Sequence, residues 1–292
     1  MKVHAFRRAA LAVFATLSGA VFCTAASAGS LGSITVSDFQ IALTDLHPND
    51  GVDPAMAFVL PNTTLGNKIE IQAGAFGNQS YTYGAAVGAQ PLDPISTQLS
   101  TPTAAVSAAI GPGSVAGSTT IQLSGWAQPS TVLNDRSEFA ARAVLPANSM
   151  IYGNLSLTPG TSITFSFDVD MAVATTGGMG SVPNADEEFS RAIMGFSISA
   201  NNSNQTQSVN HWLEVRSGFS NGVYTGTSDS GHWTESVTLA NDTNEIMYAQ
   251  MTLSADIWGF TYIDPVPEPA PALLLAAGML VLVARRAHRL RP

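Results

Sequence analysis

Between Thr161 and Ala174 every second side chain is apolar: Ile163, Phe165, Phe167, Val169, Met171 and Val173 alternate with Thr164, Ser166, Asp168 and Asp170. A strand sends successive side chains to opposite faces, so a period of two gives one dry and one wet face. The same segment coiled as a helix would scatter these apolar residues around its circumference. Ala192, Met194, Phe196 and Ile198 repeat the pattern, and so do Met247, Ala249, Met251, Leu253, Ala255 and Ile257. Strands wet on one side predict antiparallel sheets that cover a core with the other. Between Gly29 and Asp264 no segment has the periodicity of an amphipathic helix, and Ser, Thr, Gly, Asn and Ala dominate. Thr158-Pro159-Gly160-Thr161 puts Pro and Gly at the centre of a type II turn, joining Met150–Leu157 to Ser162–Ala174. Asn221-Gly222 is a two-residue hairpin signal. The expected fold is all-β: an antiparallel β-sandwich of jelly-roll type, or a related barrel, over residues 29–264. Ala85–Gly117, rich in Ala, Pro and Gly, reads as a linker that leaves a division into two subdomains open beside the single domain.

Charge narrows the function. The chain carries a formal net charge of −9, and all 21 acidic residues lie between Asp38 and Glu268. Residues 29–268 hold only five bases, Lys68, Arg136, Arg142, Arg191 and Arg216, so this body carries −16. Nucleic-acid binding needs a basic face to displace counterions from phosphate, and this balance argues against it.

The other seven bases sit at the two ends. Lys2, Arg7 and Arg8 precede the apolar run Ala9–Phe22, and Ala26-Ser27-Ala28 is a small-residue cleavage pattern. Residues 1–28 therefore read as a secretory signal peptide, handled by the Sec translocon and signal peptidase. Cys23 follows Phe22 rather than the small residue a lipidation site wants, so it is expected to leave with the signal. The mature chain would have no thiol, hence no disulfide and no thiolate metal site. At the other end, Pro267-Glu268-Pro269 is followed by an apolar run to Ala284 and then by Arg285-Arg286-Ala287-His288-Arg289-Leu290-Arg291. A proline-rich stretch stays extended and accessible. The apolar run, as a helix rising 1.5 Å per residue, is roughly 22 Å long and short for a hydrocarbon core of about 30 Å. Arginines beyond it stop translocation and stay cytoplasmic, which places the body outside the inner membrane. So marginal a span suits a temporary hold better than a permanent anchor.

Residues 265–292, with their motif, transmembrane helix and Arg-rich tail, resemble the PEP-CTERM sorting signal of Gram-negative bacteria. The resemblance rests on Pro267, Glu268 and Pro269, the apolar run Ala270–Ala284, and Arg285 and Arg286. It implies recognition by an exosortase, a membrane-embedded Cys protease or transpeptidase. It also implies cleavage near the Pro-Glu-Pro motif, release or transfer to the cell surface, and a bacterium that makes exopolysaccharide and biofilm. A similar C-terminal segment occurs on some ice-binding proteins; that likeness concerns the tail, not the body. Ile41–Pro54 and Leu157–Phe165 look like segments that recur in proteins bearing this signal. These resemblances imply a family body of unknown activity, not a known enzyme; with the two end signals and no coherent catalytic set in the sequence, the expectation is a non-enzymatic surface or matrix protein without a cofactor.

Candidate sites in the body each have a bland reading beside the chemical one. His211-Trp212-Leu213-Glu214 and His232-Trp233-Thr234-Glu235 share the pattern H-W-x-E. A hairpin centred on Asn221-Gly222 would pair residues whose numbers sum to 443 and set His211 opposite His232. Two such imidazoles with a carboxylate suit a transition metal, although Gly226–Gly231 reads as a loop that interrupts the pairing. Trp212 and Trp233 suit a stacking platform for sugar rings, with Glu214 and Glu235 as acceptors, and the two carboxylates are the one candidate glycosidase pair. The bland alternative is tryptophan in the core or at a sheet edge. Asp45, Asn49, Asp50 and Asp53 gather in one loop, as Ca²⁺ ligands do, but Asx turns around Pro48 and Pro54 explain them equally. Asp168 and Asp170 share a strand face and are expected to be solvated. Gly218-Phe219-Ser220-Asn221-Gly222 matches a nucleophile elbow in letters, yet the elbow needs a following helix and Val223-Tyr224-Thr225 reads as a strand. Asn-x-Ser/Thr triplets at Asn62, Asn78, Asn154, Asn201, Asn204 and Asn241 are ordinary for so polar a composition.

Overall fold

The computed structural model describes residues 29–59, 66–75, 80–90, 92–111, 119–129, 136–146, 154–177, 188–201, 205–220 and 223–262. The signal segment and the tail, with Pro267, Glu268, Pro269, Arg285 and Arg286, lie outside them. Among the described residues sixteen strands follow in order: β1 (Ser30–Asp45), β2 (Met56–Phe58), β3 (Asn67–Ala75), β4 (Ser80–Gly88), β5 (Ile95–Ser100), β6 (Ala104–Ile110), β7 (Thr119–Ala127) and β8 (Arg136–Leu145). Then come β9 (Leu155–Leu157), β10 (Thr161–Thr175), β11 (Glu188–Ala200), β12 (Thr206–Arg216), β13 (Gly218–Ser220), β14 (Val223–Thr225), β15 (Ser228–Asn241) and β16 (Met247–Tyr262). Among the described residues no helix is long and apolar enough to cross a membrane.

The pairings are antiparallel and build two large sheets. The smaller runs β15-β10-β1-β7-β6-β5, and the larger runs β12-β11-β16-β8-β3-β4 with β9 and β2 attached beside β16. The sheets lie face to face strand over strand: β5 over β4, β6 over β3, β7 over β8, β1 over β16, β10 over β11 and β15 over β12. Apolar residues of both fill one contiguous core. All three alternating segments of the sequence point their apolar residues into it. Ala85–Gly117 is not the expected linker, because it carries the end of β4 and all of β5 and β6. Ala104, Val106, Ala108 and Ile110 of β6 face the core.

Aromatic rings stitch the sheets together. Phe196 of β11 lies 5.2 Å from Phe165 and 5.4 Å from Phe167 of β10, and 6.4 Å from Phe39 of β1. Phe39 reaches that cluster because β1 contains a bulge between Ser37 and Gln40. Asp38 takes the extra place at φ 52°, so that Val36 before it and Phe39 after it both point inward. Phe139 of β8 is fully buried against Gly32, Gly125 and Gly259, and a Cβ on Gly125 or Gly259 would run into its ring. Gly160, at φ 65°, supplies the left-handed position of the type II turn. That turn carries the chain from β9 in one sheet to β10 in the other.

Candidate functional site

The two H-W-x-E motifs lie on facing edge strands of different sheets, β12 and β15. Each strand alternates its side chains between core and solvent, but the motifs enter in opposite phase. On β12, His211 and Leu213 point inward and Trp212 and Glu214 outward; on β15, Trp233 and Glu235 point inward and His232 and Thr234 outward. Equal spacing in sequence therefore puts equivalent residues to opposite uses.

Inside the seam, His211 Nε2 and Glu235 Oε1 are 2.9 Å apart, and the imidazole stacks on Trp233 at 4.2 Å and 19°. The ring of Trp233 lies over Gly231, where a Cβ would collide with it. Outside, on the smaller sheet, His232 Nδ1 is 2.8 Å from Asp170 Oδ1, and Thr234 donates to Asp168 Oδ1 at 2.6 Å. The pairing of His211 with His232 is thus corrected. The register whose numbers sum to 443 holds only for the short hairpin β13–β14, after which β12 pairs with β11 and β15 with β10. Ser228–Gly231 belongs to β15 rather than to a loop, because it completes the ladder opposite Met171–Ala174. Trp212 and Trp233 share no face, so they form no joint platform. Glu214 and Glu235 likewise point to opposite sides of the sandwich edge, and Glu214 pairs with Arg216 at 3.3 Å. Ser220 lies in β13 opposite Val223, with strand rather than helix after the turn.

In the acidic loop the carboxylates cap backbone. Asp45 Oδ1 accepts the His47 N–H at 2.8 Å and Asp50 Oδ1 accepts the Val52 N–H at 2.8 Å, both Asx geometry. Among the described residues no group of three or more His, Cys, Asp or Glu is placed to share a metal ion. Asn49 and Asp53 belong to the same exposed loop.

A second constellation, unread in the sequence, occupies the outer face of the larger sheet. All five bases of the body, Lys68, Arg136, Arg142, Arg191 and Arg216, stand on its strands at outward positions. Four acids stand among them: Glu70, Glu138, Glu214 and Asp256. Arg136 pairs with Glu138 at 2.7 Å and lies 4.0 Å over the ring of Phe260, while Trp258 Nε1 donates to Glu138 at 3.0 Å. Arg191 lies 5.4 Å over Trp258, and Arg216 lies 4.9 Å over Phe189. Asp256 sits 3.4 Å from Arg142. Burial pushes the Asp256 carboxyl above the usual range, against the downward pull of Arg142 and Arg191. The signal for this face was parity: Lys68, Arg142 and Arg191 each stand between two residues that face the core. In β8 the pattern is faint, because Ala141 and Ala143 stand at two of its inward places and Ala140 at an outward one.

No family model matches the chain, and no curated protein matches it. Among solved structures a chain of Bacillus subtilis oxalate decarboxylase, studied for its Mn(II) centres, aligns at 7% identity over 82% of this chain and 67% of that one. Its TM-score of 0.09 carries no argument about fold or function.

Proposed function

We propose that this chain is an exported protein of the cell surface or extracellular matrix, structural and exopolysaccharide-associated rather than enzymatic. In this reading the precursor is held in the inner membrane with its body outside, and an exosortase then processes it at the C-terminus. The observation that carries the proposal is the order Pro267-Glu268-Pro269, apolar run, Arg285-Arg286, set at the opposite end from a signal-like segment. The single span and the signal peptide belong to the same proposal. The body adds support of a lesser kind: its candidate nucleophile and carboxylates are scattered among a hairpin, a seam and an outer face. The finer fold reading is a jelly roll. β7-β1-β10-β15 opposite β8-β16-β11-β12 is the strand order of an eight-stranded roll, with β1 in the place of the last strand and β3–β6 extending both sheets.

The test is Glu268→Ala. A lone carboxylate between two prolines is presented on a stiff, extended segment that loses little entropy on binding. Neither the signal peptide nor the arginine stop depends on it. The variant is expected to accumulate at full length in the inner membrane while the wild-type chain is shortened and moves to the surface. Equal size and equal location of both on a blot of membrane and surface fractions would refute recognition through Glu268.

A further inference from the structure

The geometry points to the outer face of the larger sheet as a docking platform for one uncharged polysaccharide chain, laid across the strands from Trp212 on β12 to Tyr83 on β4. This rests on the reading that the protein works among exopolysaccharide, and it names the surface and the chemical class that reading leaves blank.

Register places the residues. Across neighbouring strands one row reads Trp212, Ile193, Asp256, Arg142, Glu70, Ala85, and the next reads Glu214, Arg191, Trp258, Ala140, Gln72, Tyr83. Five inter-strand steps of about 4.8 Å make the path roughly 24 Å long, the length of several pyranose units. At its two ends stand the most exposed aromatic rings among the described residues, Trp212 at 64% and Tyr83 at 70%. The C–H faces of a sugar ring carry slight positive charge and pack on the negative face of an indole or phenol.

Between the rings, acid and base alternate. Asp256 beside Arg142 and Glu214 beside Arg216 offer an acceptor next to a donor fork. A sugar hydroxyl is donor and acceptor at once, and each such pair satisfies both roles. The half-buried setting of Asp256 keeps water partly away from it, which strengthens a hydrogen bond made there.

Charge chooses the class of polymer. Five bases and four acids leave this face near neutrality, whereas the body as a whole carries −16. A polyanion finds no basic patch here, because four of the five bases stand beside an acid of the same face, and the acidic remainder of the body opposes its approach. An uncharged chain meets no such penalty, and the neutral face is the place on the molecule that suits it.

The experiment is affinity electrophoresis of the mature protein in gels containing dextran, β-1,3-glucan, hydroxyethyl cellulose, xylan or galactomannan, and in gels containing alginate or polygalacturonate. At least one neutral polymer is expected to retard the protein, and the acidic polymers are not. Trp212→Ala with Tyr83→Ala is expected to weaken that binding by at least about tenfold. Both rings are exposed, so thermal unfolding of the double variant should match the wild type. Trp233→Phe, altered inside the seam, should bind normally. The inference fails if no neutral polymer retards the protein or if only acidic ones do. It also fails if the double variant binds as well as wild type, or if sedimentation shows that the two rings instead hold two copies of the chain together. Processing is read separately from chain length on a blot, so loss of binding with normal shortening sinks this inference alone, and full-length wild-type chain sinks the sorting reading alone.

Discussion

Asp256 shows how one side chain reports its surroundings. It stands at the middle of the outer face, between Arg142 of β8 and Arg191 of β11, and burial raises its pKa despite both cations. A folded-state value above the unfolded one means that folding holds a proton there. The resulting contribution to stability is fully present below the unfolded carboxylate value, about 3.9, and is lost as pH rises through the folded value. Asp256→Asn has no proton to lose. Thermal melts of both proteins at a series of pH values from about 3.5 to 7 should therefore show wild type losing ground to the variant as pH rises above 4, then running parallel to it. The side chain is 38% exposed, so water screens the effect and the shift in midpoint should be small. Curves parallel throughout would mean that the fold does not hold the proton. Other single residues were plainer. Gly160 was legible because only a positive φ suits the third position of its turn. Asp38 was not, since a bulge depends on the partners of β1 on both sides, which the local sequence does not name.

Asn154 does the work of a missing strand segment. β8 leaves β16 at Leu253 and β9 joins it at Ala249, which strands Met251 between them. The buried Asn154 side chain fills the gap: Nδ2 donates to the Met251 carbonyl at 2.7 Å and Oδ1 accepts the Met251 N–H at 2.8 Å. Asn154→Ala orphans two buried backbone groups, at about 1–3 kcal/mol each. The urea midpoint should fall accordingly, and Asn154→Asp should not rescue it, because a carboxylate replaces the donor with a buried charge. A change within 0.5 kcal/mol would refute the role assigned to the amide. Element by element, the long strands β10, β11 and β16 were legible, since each carries a run of apolar residues at every second place. The strands β5 and β6 were mistaken for a linker because both are short, Pro94 and Pro102 flank β5, and alanines make up most of β6. At the edge, Asn221-Gly222 suggested a hairpin that would pair the two H-W-x-E motifs, and a local pattern cannot reveal that β12 and β15 part to different sheets. The partner His211 does find, Glu235, stands 24 residues away across the seam.

At the scale of the whole molecule, neither sheet has a dry environment without the other. Phe196 of the larger sheet packs among Phe39, Phe165 and Phe167 of the smaller, and Phe139 of the larger lies against Gly32 and Gly125 of the smaller. Splitting the layers would expose every one of these rings at once, and each fully buried ring is worth on the order of 2–3 kcal/mol. The chain also crosses between sheets repeatedly, so no contiguous stretch builds one layer alone. The two sheets are therefore expected to unfold in one cooperative transition, including the stretch 85–117 once read as a linker. The tryptophans allow a direct check. Trp126 stands on β7 of the smaller sheet, and Trp258 on β16 of the larger. Two variants, each retaining one of these as its single tryptophan with phenylalanine at the others, report on separate layers. In urea, each fluorescence midpoint should coincide with the far-UV circular dichroism midpoint of the same protein, with one slope describing both signals. Separate midpoints within either variant would mean that one layer outlasts the other, and the shared core would then not be what holds the sandwich together.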